Sequence, residues 1–153
     1  MIKKLARDIM TTEVITVHPD DDVEKVARLL LEHHISGLPV VDHGGKLVGV
    51  VSEGDLVFRE KKVRTPFYVV IFDSPIYLEK PQRFIEDVKR TVAQKVGELM
   101  STKLYTVGPE ASVENVATIM VERGINRVPV VDADNMLVGI ISRQDIIRAA
   151  FSE

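Results

Sequence analysis

Apolar positions in this chain change spacing from one stretch to the next, and each spacing predicts an element. Val14-Ile15-Thr16-Val17 is short and β-branched, which suits a strand ended by Pro19. From Val23 the apolar positions spread to Val23, Val26, Ala27, Leu30 and Leu31, the i, i+3, i+4, i+7, i+8 pattern of a helix with one face in the core. Asp22 stands where that helix needs an N-cap. Leu38-Pro39-Val40-Val41 and Leu47-Val48-Gly49-Val50-Val51 are strand-like runs around Asp42-His43-Gly44-Gly45-Lys46, a turn whose residues tolerate positive φ, so the two strands form a hairpin. The second run turns polar at Ser52 and Asp55, and a closing helix is predicted over Glu53 to Arg59. Where a strand passes into a helix, the first backbone N–H groups point outward unpaired. Main chain can then hold an anion or a sugar while the Ser and Asp side chains add selectivity.

The whole series occurs twice. Met10 aligns with Met100, and the match continues without a gap to Val57 and Ile147 at a constant offset of 90 residues. Thr16 pairs with Thr106, Pro19 with Pro109, Pro39-Val40-Val41-Asp42 with Pro129-Val130-Val131-Asp132, and Ser52 and Asp55 with Ser142 and Asp145. In the second copy Ser112 takes the N-cap position before Val113, Val116, Ala117, Met120 and Val121. Asp134-Asn135 replaces the two turn glycines, which supports positive φ in both turns, and Arg143 to Phe151 reads as the closing helix. Each half is thus predicted as strand, helix, strand, strand, helix around a three-stranded sheet. The period is far longer than that of a solenoid, so two halves facing each other are expected, burying the apolar faces that about fifty residues alone cannot cover.

Composition narrows the chemistry. The 153 residues contain 45% hydrophobic side chains, enough for a real core in one domain-sized unit. Net charge is −3, which gives no general attraction to nucleic acid or to an anionic membrane, although a small anion site is compatible with it. The absence of Cys excludes disulfides, thiolate metal sites and Cys nucleophiles, and fits a reducing compartment. No secretory signal and no run of roughly 20 apolar residues is present, so the chain reads as cytoplasmic.

Ile9-Met10-Thr11 and Leu99-Met100-Ser101 open the two copies, Gly37-Leu38-Pro39-Val40-Val41-Asp42 and Arg127-Val128-Pro129-Val130-Val131-Asp132 lie midway, and Gly49-x-x-Ser52-x-x-Asp55 and Gly139-x-x-Ser142-x-x-Asp145 close them. A pair of such units resembles the tandem CBS domain, or Bateman module, named after cystathionine beta-synthase. The resemblance implies an α/β (α+β) fold of two pseudo-twofold related β-α-β-β-α motifs packed through their sheets, here with a hairpin and helix inserted between them. The expected layout is a first motif over 1–58, the insertion over 59–96 and a second motif over 97–153. It also implies a regulatory, non-enzymatic role, with AMP, ADP, ATP or S-adenosylmethionine held in the cleft between the motifs and no cofactor required. By the family pattern Asp55 and Asp145 accept hydrogen bonds from ribose hydroxyls, and Ser52 and Ser142 lie near ribose or phosphate. Thr16 with Ile35-Ser36-Gly37, and Thr106 with Ile125-Asn126-Arg127, frame base and phosphates; Pro39, Val51, Pro129 and Ile141 complete the expected lining. A disc-like homodimer and a separate effector protein are the partners implied, with neither nucleic acid nor membrane expected. The alternative is a structural dimerisation module whose pockets are vestigial.

The residues themselves add three expectations. Arg127, suited to bidentate phosphate binding, faces Gly37 in the alignment, so phosphates should be drawn mainly to Arg127. Glycines 49 and 139 leave room for a ligand or another backbone to approach. In the insertion, Arg59 to Arg64 is a basic helix end, Pro66 to Phe72 and Ile76-Tyr77-Leu78 form a hairpin around an Asp73-Ser74-Pro75 turn, and Phe84, Val88 and Val92 line a connecting helix that begins near Pro81. That hairpin holds four of the eight aromatic residues and must cover the module, line a dimer contact or dock a partner. Other signals point to structure. Asp20-Asp21-Asp22 reads as a dipole-compensated helix start rather than a metal site, and His33-His34 as solvated or capping residues. The Ser-Asp pairs lack a His in register to act as a catalytic base.

Overall fold

The computed structural model describes residues 4–57, 68–71, 74–77 and 94–152. The elements run α1 (Ala6–Ile9), α2 (Val23–His33), β1 (Gly37–Val41), β2 (Leu47–Ser52), α3 (Glu53–Val57), β3 (Tyr68–Ile71), β4 (Ser74–Tyr77), α4 (Val96–Leu99), α5 (Val113–Arg123), β5 (Arg127–Val131), β6 (Leu137–Ser142) and α6 (Arg143–Phe151). This is the expected mixed α/β order, twice, with three two-stranded sheets: β1-β2, β3-β4 and β5-β6.

The first strand of each half is shorter than predicted. It contracts to one parallel bridge, Val17 to Val40 and Val107 to Val130. Val17 N donates to Pro39 O at 3.3 Å and Val107 N to Pro129 O at 3.2 Å. Neither proline has an N–H to extend the ladder, and Pro19 and Pro109 end the run two residues later.

The helix stripes are as expected except at their outer edge. Val23, Val26 and Leu30, like Val113, Val116 and Met120, are buried, whereas Leu31 is 76% and Val121 83% exposed. Eight residues along a helix is about 80° of net rotation, enough to turn both side chains out of the covered face. His34 and Gly124 close α2 and α5 in the left-handed conformation, with φ of 52° and 63°. Ser112 caps α5 by accepting from Asn115 N at 3.1 Å. Asp22 occupies the same position before α2 but makes no side-chain cap, and its Oδ1 takes Lys95 Nζ at 2.6 Å. That bond holds the Lys95 ammonium above its ordinary pKa. At Asp21 burial pushes the carboxyl up, but the His18 amide bond and Lys25 outweigh it and hold the group below its usual range.

Both hairpin turns rest on an aspartate. Asp42 Oδ1 accepts from Gly44 N and Lys46 N, both at 2.9 Å, and Asp132 Oδ1 from Asp134 N at 2.9 Å and Met136 N at 3.0 Å. Positive φ falls at the second turn position only, 90° at Gly45 and 63° at Asn135. In the insertion, β3 and β4 pair antiparallel with Tyr68 opposite Tyr77 and Ile71 opposite Ser74. Ser74 and Pro75 are therefore strand residues rather than the predicted turn. The expected basic helix end and connecting helix lie outside the described residues.

The chain divides into two compact units, Met1–Thr16 with Val41–Gly49 and Thr102–Glu153, and Val17–Val40 with Val50–Ser101, so each draws on both repeats. In the first unit α1 lies against the second repeat: Ala6 N donates to Ala111 O at 2.7 Å, Arg7 N to Pro109 O at 2.9 Å, and Val113 N to Lys4 O at 3.1 Å. In the other unit the same three bonds recur 90 residues on, from Val96 N to Asp21 O at 2.9 Å, Gly97 N to Pro19 O at 2.8 Å, and Val23 N to Gln94 O at 2.9 Å. The leading segments of the repeats are thus exchanged. Ala6 joins a core of Val107, Val116, Met120, Val128, Val130 and Ile141. Among the described residues no helix is long and apolar enough to cross a membrane.

Candidate functional site

The strand-to-helix junction is built the same way in both repeats. In the second, β6 ends at Ser142, which caps α6. Asp145 Oδ2 accepts from Ser142 N at 2.8 Å and from Ser142 Oγ at 3.1 Å, while Ser142 Oγ accepts from Asp145 N at 3.3 Å. This reciprocal capping box satisfies amides that the helix start would otherwise leave unpaired. In the first repeat Asp55 Oδ2 accepts from Ser52 N at 2.9 Å, with Ser52 Oγ at 3.4 Å.

Neighbouring strands bring the other expected residues to the same place. In the β5-β6 register Arg127 stands opposite Ser142, Val128 opposite Ile141 and Pro129 opposite Ile140. Arg143 N donates to Asn126 O at 2.9 Å, matched by Glu53 N to Ser36 O at 2.9 Å. Thr106 precedes Val107, whose amide reaches Pro129 O, and Thr16 precedes Val17, whose amide reaches Pro39 O. Asn126 is exposed, and Thr16, Thr106, Ile35, Ser36, Ile125 and Arg127 are half-buried. In the first repeat Ser36, Gly37 and Ser52 therefore meet at one sheet end, and in the second Asn126, Arg127 and Ser142 do so.

Other expected residues face inward. Val51 and Ile141 have no exposed surface, and Pro39, Pro129 and Gly37 are buried, so all five pack inward rather than lining an open surface as expected. Gly139 is a correction to its expected role. The space a side chain would need there is filled by Met10, with Cγ at 2.8 Å from an ideal Cβ position, rather than left for a ligand or another backbone.

The junctions differ in charge. Asp145 is 8% exposed, and its Oδ1 takes Arg148 Nη1 at 3.1 Å. The residue matching Arg148 is Phe58. Beside Thr106, the Arg123 guanidinium lies 4.9 Å from the Tyr105 ring centre, whereas the first repeat has Ile15 and His33 at these positions. Reading the sequence for shared residues passed over Arg148, Tyr105 and Arg123, because all three are positions where the repeats disagree. Among the described residues no group of three or more His, Cys, Asp or Glu could hold a metal ion. Asp21 and Asp22 are engaged at the start of α2, and His34 is the left-handed C-cap of that helix.

Comparison with known proteins gives these junctions a context. The family model for the CBS domain matches residues 6–62 and 96–152. An uncharacterised protein of Methanocaldococcus jannaschii is 36% identical over 153 residues, covering 95% of this chain and 90% of that protein. The crystal structure of CBSX2 in complex with AMP is similar with a TM-score of 0.70 at 30% identity, covering 95% of both chains. The CBS domain pair of protein MJ0100, in complex with 5-methylthioadenosine and S-adenosyl-L-methionine, has a TM-score of 0.67 at 28% identity, covering 95% of this chain and 94% of that one. With two matched copies of the motif and junctions built alike in both, the chain belongs to the CBS domain family.

Proposed function

We propose that this chain is a regulatory module that binds an adenosine-containing ligand at its strand-to-helix junctions and is read by a separate effector protein. The observation that carries this reading is the twofold recurrence of an Asp held against its own Ser at a helix start, in a chain similar to CBS pairs bound to AMP and to S-adenosylmethionine. An ionised carboxylate is acceptor-only and suits the adjacent hydroxyls of a ribose. Asp55 and Asp145 take that role, with Ser52, Ser142, Thr16, Thr106, Ser36 and Asn126 nearby and Arg127 drawing phosphate. The ligand changes the module's conformation only in so far as its affinity differs between two states. No turnover of the ligand is expected, and no cofactor is needed.

Thermal-shift measurements against AMP, ADP, ATP, adenosine and S-adenosylmethionine test the reading. A cognate ligand at about 100 times its dissociation constant should add roughly 2.7 kcal/mol of stability. Arg127→Ala should shrink the shift given by AMP more than that given by adenosine. No shift with any of the five would favour the structural alternative. The exposed Leu31, Val121, Ile147 and Phe151 support self-association in either case. Light scattering after size exclusion should then give twice the chain mass of 17.1 kDa, and a monomer at every concentration would exclude the homodimer.

A further inference from the structure

We propose that Arg148 sets the ligand specificity of the second repeat, favouring adenosyl ligands that carry a phosphate over neutral nucleosides and over those that carry a sulfonium. This rests on the functional reading above and adds a residue and a ligand preference to it.

The geometry supplies the reason. Both oxygens of the Asp145 carboxylate are engaged within α6 and its cap, Oδ2 by Ser142 N and Oγ and Oδ1 by Arg148 Nη1 at 3.1 Å. A ribose hydroxyl that donates to Oδ1 shares that oxygen's two lone pairs with the guanidinium and so weakens the ion pair. The loosened group can move, because the Arg148 side chain is 68% exposed while that of Asp145 is only 9% exposed. Where it goes depends on the ligand. A phosphate offers an acceptor that matches the planar guanidinium fork, so the charge-assisted bond weakened at Asp145 is compensated. A neutral nucleoside offers no such compensation. A sulfonium, where the phosphate would otherwise sit, brings a second positive charge close to the guanidinium, and the like charges repel. Arg127, opposite Ser142 in the neighbouring strand, lies at the same sheet end and adds to the bias against cationic ligands. The first repeat has Phe58 at the matching position, so this discrimination belongs to the second repeat alone.

An i, i+3 ion pair of this kind also stabilises a helix with no bearing on ligands. The two roles separate in calorimetric titrations of the full chain with AMP, adenosine and S-adenosylmethionine. The proteins compared are wild type, Arg148→Gln, Arg148→Lys and, to identify the second-repeat step, Asp145→Asn. In wild type the step lost in Asp145→Asn should prefer AMP to adenosine. Arg148→Gln should narrow that preference by roughly tenfold, the value of one charge-assisted hydrogen bond, with AMP binding more weakly and adenosine more tightly. Arg148→Lys keeps the charge without the fork and should fall between the two. Raising the salt concentration should narrow the wild-type preference more than that of Arg148→Gln, in which Arg127 alone still attracts the phosphate. Binding with the same AMP-to-adenosine ratio in wild type and Arg148→Gln would overturn the role of Arg148 and leave the adenosyl-binding function standing. Absence of binding by all three ligands to wild type would overturn both.

Discussion

Asp145→Ala is expected to lower stability by about 2 kcal/mol and to weaken adenosyl ligands by tenfold or more, losses with separate causes. The stability loss comes from the cap. The carboxylate accepts from Ser142 N at 2.8 Å and from Ser142 Oγ at 3.1 Å in a site where Asp145 is almost wholly buried. Truncation leaves the Ser142 amide without its partner where water reaches it poorly. In a domain of this size that amounts to a melting-temperature drop of roughly 4–8 °C. Asp55→Ala should lose less, about 1 kcal/mol, because Asp55 is half-buried and its contact with Ser52 Oγ is long at 3.4 Å. The affinity loss comes from the missing ribose acceptor, and Asp145→Asn isolates it. The amide oxygen can still cap Ser142, so stability should largely return while affinity does not. Melting curves and titrations on the three variants check both halves. An unshifted melting temperature in Asp145→Ala removes the capping role, and an unshifted affinity removes the ribose role.

What sequence could and could not disclose about this fold follows from the kind of interaction involved. The repeat was legible because Thr16 and Thr106, Pro39 and Pro129, and Ser52 and Ser142 keep one spacing throughout. The hairpin turns were legible because Asn135 replaces Gly45, and both residue types tolerate the positive φ that each adopts. Exchange of the leading segments was not. Ala6 and Val96 are small apolar residues that could pack on either copy, and the backbone bonds that place them carry no side-chain signature. The bond from Lys95 to Asp22 joins residues 73 apart in the chain, which local pattern does not see. At the candidate site the shared Ser and Asp stood out, whereas Arg148 did not, although its three-residue spacing from Asp145 is ordinary helix geometry. Comparing the copies for their differences, Phe58 against Arg148 and Gly37 against Arg127, is what exposes the unequal charge of the two junctions.

Gly139→Ala should be the costliest single-methyl change in the second repeat, at about 2 kcal/mol, even though alanine suits a strand better than glycine does. The φ of Gly139 is not among the positive values in the chain, so backbone conformation is not the obstacle. The obstacle is Met10, which reaches across from the leading segment. An added Cβ would lie 2.8 Å from Met10 Cγ and 3.1 Å from its Cβ, with Sδ closer still. The thioether end of methionine is flexible and can swing away, but the contact with Met10 Cβ can be relieved only by moving backbone. That backbone is pinned on both sides, because Thr11 N donates to Ile140 O at 2.9 Å and Ile140 N to Thr11 O at 3.0 Å. The overlap therefore falls on the exchange itself, loosening the leading segment from β6. A double-mutant cycle distinguishes this from a general weakness of the strand. Met10→Gly removes the colliding side chain together with its Cβ, so the double variant should be more stable than the sum of the single losses by at least about 1 kcal/mol. Strict additivity in urea unfolding would show that Gly139 is required for a reason other than room for Met10. If the coupling is found, amide exchange in Gly139→Ala should quicken first at Thr11 and Ile140, the residues whose paired bonds hold the exchanged segment in place.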